Sequence, residues 1–100
     1  LGLRNLNFSS REIDAVVFPN PLKDSRFFIK IQGGEYGEET LVVLLDPLGK
    51  EVYSKMIIQM EGETIVAVNL SNQITPGVYF VIGSSDNGLF RKKIIVKRSY

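Results

Sequence analysis

The sequence predicts an all-β fold, a sandwich of seven antiparallel strands. Three observations carry this. Short apolar, β-branched runs recur at fairly even spacing, and Gly, Pro, Asn or Asp closes nearly every one. Within several runs hydrophobicity alternates with period two, the repeat of a pleated strand. No segment shows a convincing helical period.

The first run is Ala15–Phe18, closed by Pro19-Asn20-Pro21. Each proline fixes φ and lacks an N–H, so strand pairing stops there or sits on an edge. Arg26–Gln32 alternates well, with Phe27, Ile29 and Ile31 on one face. A polar loop, Gly33 to Glu39, follows. Leu41–Leu45 is apolar on both parities, which fits a strand covered on both sides or a central one with an oily outer face. Asp46-Pro47-Leu48-Gly49-Lys50 has the chemistry of a tight turn, so Val52–Ile58 is expected to pair back as a hairpin. Glu61-Gly62 turns the chain again. Thr64–Leu70 places Thr64, Val66, Val68 and Leu70 together, Ser71–Thr75 crosses over, and Pro76-Gly77 opens Val78–Ile82. Ser84–Gly88 is a turn signalled by Asp86-Asn87-Gly88. The last run is Leu89–Lys97. Two facing antiparallel sheets of immunoglobulin-like topology fit these seven runs. Periodicity does not order the strands.

One hundred residues, 44% hydrophobic, make one globular domain with a single core. Residues 1–13 are expected to form a linker and residues 14–100 the folded unit. The chain has no His, Cys or Trp. The usual zinc and copper ligands are therefore missing, and so is the commonest proton carrier near neutral pH. Ser–His and Cys–His nucleophiles are excluded within the chain. No metal, cofactor or catalytic residue is expected, and no apolar run is long enough for a membrane-spanning helix. The formal charge of +1 hides an asymmetry. Residues 1–90 hold seven Lys/Arg against eleven Asp/Glu, a net of −4, while Arg91, Lys92, Lys93, Lys97 and Arg98 give the last ten residues +5.

The loop carboxylates Glu35, Glu38, Glu39, Glu61 and Glu63 match no calcium-loop spacing and read as solvated surface. Gly33-Gly34 and Gly37 lack the Lys-Ser/Thr of a phosphate loop. Tyr36 offers a stacking ring for a sugar and reads equally as a lone exposed aromatic; a carbohydrate-binding or adhesion module is the alternative that fold class alone suggests. The basic tail alternates with Ile94, Ile95 and Val96 as on a half-buried strand, which argues against nucleic acid; lysines on a terminal strand also block edge-to-edge aggregation.

Four motifs, in order and well spaced, carry a resemblance. Phe18-Pro19-Asn20-Pro21, Asp46-Pro47-Leu48-Gly49-Lys50, Asn69-Leu70-Ser71 with Ile74-Thr75-Pro76-Gly77-Val78-Tyr79-Phe80-Val81, and Lys92-Lys93-Ile94-Ile95-Val96-Lys97 resemble the opening box, D-x-x-G-K turn, G-x-Y segment and basic terminus of the type A C-terminal sorting domains of the Bacteroidetes type IX (Por) secretion system. The resemblance covers about residues 14–97. It implies a non-enzymatic export address, read by an outer-membrane translocon while fused to an upstream passenger. It further implies passage through the periplasm to the cell surface, where a sortase-like peptidase cuts before about Asp14 and many passengers are joined to anionic lipopolysaccharide. By matching position it assigns partner recognition to Gly77, Tyr79, Lys92, Lys93, Ile94, Val96 and Lys97, and structural roles to Pro19, Asn20, Pro21, Asp46, Gly49 and Lys50. Gly77 also reads as a backbone requirement, and Tyr79 as a core ring whose hydroxyl pins a loop. Weak dimerisation is a further open alternative.

Overall fold

A computed structural model describes residues 12–70 and 74–97. Most of the expected linker, together with Ser71 and Arg98, lies outside the described residues. Seven strands follow one another: β1 (Asp14–Phe18), β2 (Arg26–Gln32), β3 (Glu39–Leu45), β4 (Glu51–Ile58), β5 (Glu63–Asn69), β6 (Gly77–Ser85) and β7 (Gly88–Val96). They form two antiparallel sheets, ordered β1-β2-β5 and β4-β3-β6-β7. The β6–β7 turn is tighter than the sequence suggests, with Asp86-Asn87 as its tip and Ser85 paired to Gly88. That pairing draws Ser84 and Ser85 into the ladder.

Alternation sets the core. Phe27, Ile29 and Ile31 of β2 and Val66 and Val68 of β5 face Val42 and Leu44 of β3, Tyr79 and Val81 of β6, and Ile94 and Val96 of β7. β3 lies centrally, between β4 and β6, so its second apolar parity forms an oily outer face. Phe18 ends β1 on its outward parity. It is 39% exposed, because register with β2 buries Ala15 and Val17 and sets Phe18 opposite Phe28 on the outer face. The two rings stack with centroids 5.7 Å apart, and the Arg26 guanidinium lies 5.2 Å from the Phe28 centroid.

The sandwich has two unlike ends. β1 begins, β2 ends, and the β4–β5 and β6–β7 connections lie at one end. Glu12, Asp14, Glu35, Glu38, Glu39, Glu61, Glu63 and Asp86 collect there. The β3–β4 turn and the finish of β7 lie at the other end, where Lys23, Lys50 and Lys97 are balanced by Asp24, Asp46 and Glu51.

Two carboxylates tie loops together at the acidic end. Glu38 Oε1 accepts from the Asn87 side-chain amide and, at 3.0 Å, from the Glu35 amide, joining the β2–β3 loop to the β6–β7 hairpin. Burial opposes ionisation of Glu38 and is the largest single influence. Hydrogen bonds from Ser85, Asn87 and the Glu35 backbone together outweigh it and hold the carboxyl below the usual range. Asp14 is held low chiefly by its hydrogen bond to Lys92, helped by the Ala15 amide. A carboxyl with a depressed folded pKa stabilises the fold fully above its unfolded value of about 4, and that share is lost as pH falls through the lower folded value. Urea midpoints should therefore hold level down to about pH 5 and decline below about pH 4. In Glu38→Gln that decline should be visibly shallower; superimposable profiles would show that the clamp does not report on acid.

Candidate recognition surface

Strand β7 alternates in burial from Phe90 onward, with Lys92 and Ile95 intermediate. Phe90, Ile94 and Val96 are buried, and Arg91, Lys93 and Lys97 are exposed. Lys92 shares the inward parity but sits at the margin of the sandwich, where its Nζ lies 3.0 Å from Asp14 Oδ1 in the opposite sheet. The basic run thus divides into an internal ion pair and an outward stripe. On that stripe the Arg91 guanidinium stacks 4.3 Å from the Phe80 ring centroid.

The outer edge of β7 is occupied over its last residues. Both X–Pro bonds of Phe18-Pro19-Asn20-Pro21 are cis. Neither proline has an N–H to donate. Asn20 supplies the missing polar groups from its side chain: Nδ2 donates to the Lys93 carbonyl and Oδ1 accepts from the Ile95 amide, each at 2.9 Å. Leu22 continues the pairing, donating to the Ile95 carbonyl at 2.7 Å and accepting from the Lys97 amide at 2.8 Å. Its own side chain is fully buried. A short stretch of irregular chain thus behaves as an eighth, two-point strand against β7.

The remaining motif residues hold one another. Asp46 Oδ1 accepts from the Leu48 and Lys50 amides at 2.9 and 2.8 Å, closing the β3–β4 turn, with Gly49 at φ +88°. Pro47 of that turn packs against the start of β6. A Cβ on Gly77 would lie 2.8 Å from Pro47 Cγ, and Gly77 has φ +152°. The turn and the G-x-Y segment therefore require each other. Tyr79 is 1% exposed, and its hydroxyl donates to the Thr75 carbonyl at 2.6 Å, fixing the chain that leads into β6. Gly83 faces Phe90 so closely that any Cβ would meet the ring at 2.1 Å.

Of the seven residues assigned to recognition, only Lys93 and Lys97 lie fully exposed on the folded surface, with Lys92 at its margin. Gly77, Tyr79, Ile94 and Val96 hold the strand in place. Sequence reasoning did not anticipate the roles of Asn20, Leu22 and Arg91. An asparagine between two prolines was the available signal for Asn20, since neither flanking proline can donate and its side chain can.

A family model described as "Secretion system C-terminal sorting domain" matches residues 16–97. Among solved structures, the chain is similar to one titled "Crystal structure of dimeric latent PorU from Porphyromonas gingivalis". The TM-score is 0.68 and the identity 22%, over 87% of this chain and 9% of that one. The chain therefore spans about a tenth of that protein's length, and the likeness is one of fold. No curated protein matches.

Proposed function

The chain belongs to the family of secretion-system C-terminal sorting domains, and on that premise we propose how its type IX export address is read. The domain directs a passenger to the cell surface or beyond. Recognition falls on β7: the translocon meets Lys93 and Lys97, with Arg91 beside them and Lys92 at the edge. Gly77, Tyr79, Ile94 and Val96 serve by presenting that strand rigidly. The observation that carries this is the burial pattern of β7, which commits Phe90, Ile94 and Val96 to the core and leaves Arg91 and Lys93 outward, between Leu89 and Ile95, with Lys97 just beyond the strand. Such a row steers an acidic partner and fixes its orientation. A sortase-like peptidase then cuts upstream of the folded unit, in residues 1–13, because β1 begins at Asp14. The domain itself carries no reaction, in keeping with a sequence that lacks His and Cys. A weak dimer is part of this reading.

The test is a fusion of residues 1–100 to a reporter exported to the periplasm of a type IX-competent bacterium. Surface delivery of the reporter is expected. Retention in the periplasm, equal to that of the unfused reporter, would refute the role.

A further inference from the structure

The two sheets differ by one strand, and the difference leaves an edge open. Asp14 of β1 reaches Lys92 of β7 at 3.0 Å, so those two strands close one side of the sandwich. Counting across from that seam, β2 lies over β6 and β5 over β3, which leaves no strand over β4. Burial agrees. Tyr53, Lys55 and Ile57 share the inward face with Leu44, Val42 and Thr40. All three β3 residues are buried, whereas Lys55 is exposed and Tyr53 half-buried.

Beside that uncovered floor, β5 pairs only with β2. The Leu70 amide donates at 2.7 Å to the carbonyl of Ser25, directly opposite, and so sets the phase of the ladder. Bonded and non-bonded pairs alternate from there. The N–H and C=O groups of Glu63, Ile65, Ala67 and Asn69 therefore point away from β2. Between Glu63 and Asn69 this edge carries no charge and no proline, the usual guards against strand addition. Ile65 stands 60% exposed along it. A strand placed there would bond to β5 and lay its inward side chains over β4. The central side chain of that floor is Lys55, which makes no ion pair among the described residues.

We infer that this edge binds an extended peptide segment of another protein, added antiparallel to β5 as a fourth strand of its sheet. The inward residues of the segment read apolar, acidic, apolar, with the carboxylate on Lys55 and the apolar flanks on Tyr53 and Ile57. Main-chain bonds to Ile65 and Ala67 supply affinity, and Lys55 selects the charge. β4 and β7 are opposite edges of one sheet, so the site is separate from the basic strand and does not depend on the sorting role.

The probe is a capped heptapeptide, Thr-Val-Thr-Glu-Thr-Val-Thr, titrated into residues 1–100 and followed by amide NMR and calorimetry. A dissociation constant between about 10 μM and about 1 mM is expected, since a short free strand must be ordered on binding. The Ile65 and Ala67 amides should gain protection from exchange, while Val66 and Val68, already bonded to β2, change little. Lysine in place of the peptide's glutamate should weaken binding about tenfold, and Lys55→Glu should reverse that preference. N-methylating the two inner threonines, whose N–H groups face β5, should abolish binding with the protein untouched. Lys55 is exposed, and circular dichroism checks that the variant folds. No saturable binding below about 5 mM overturns the inference and leaves Lys55 a guard of the edge. So does an unchanged preference in Lys55→Glu, or full binding of the N-methylated peptide. Shifts of the same amides on diluting the domain alone would give the edge to a second copy, and equally overturn it. None of these outcomes bears on surface delivery, which the fusion experiment reads separately.

Discussion

Reversing Arg91, Lys93 and Lys97 to Glu together is expected to reduce surface delivery of a fused reporter at least about tenfold while the domain stays folded. All three side chains point outward, so their combined cost in stability is the loss of one cation–π contact and of surface electrostatics, about 1–2 kcal/mol. On the proposed reading the cost to recognition is larger, since three positive charges would become three negative ones facing the same partner. Lys92→Gln is the matched control. It removes the pair with Asp14, which is largely exposed, and should leave delivery within about twofold. Quantifying the reporter on intact cells against a thermal melt of each purified variant separates the two effects. Equal delivery by the triple variant and the wild type would remove the cationic row from the address. Deleting residues 91–100 is a poorer experiment, because it also strips Ile94 and Val96 from the core and the fold would fail with the signal.

Leu22→Ala should be among the most damaging single substitutions outside the strands. The side chain is 0% exposed, and its backbone makes two of the hydrogen bonds that hold the end of β7. Truncating a buried leucine costs about 2–5 kcal/mol, part transfer energy and part cavity. In a domain of this size that lowers Tm by roughly 10–25 °C. Leu48→Ala, at 94% exposed in the β3–β4 turn, changes stability by less than about 0.5 kcal/mol. Urea titration of the pair gives both values. A loss below about 1 kcal/mol at Leu22 would mean that the crossover does not secure the terminal strand.

The sequence was informative where a single residue type settles a local question. β2 was legible to the residue because Phe27, Ile29 and Ile31 share one parity while Lys30 and Gln32 take the other. The Tyr79 hydroxyl anchor was legible because a buried phenol needs a partner and a loop lies just upstream. β1 was not phased, because Val16 and Phe18 are as apolar as Ala15 and Val17. Only register with β2 decides which pair is buried. The reason for Gly77 was half hidden. Its backbone angle could be guessed, but the pressure of Pro47 comes from a turn thirty residues away. Asn20 shows the same limit, since its bonds reach more than seventy residues along the chain. Alternation states which face a residue takes and is silent on which strand lies beside it.

The unlike ends of the sandwich settle a matter of leverage. β1 and β7 run in the same sense, so Glu12 lies at the acidic end while Lys97 lies at the opposite one. Nine residues of β7 separate them by about 30 Å. On the proposed reading, a carrier that held the final strand would grip the molecule at arm's length from its load. On that reading, cargo of any bulk would hang from the far side without fouling the grip, and a blade working before Asp14 would release it while the handle was still held.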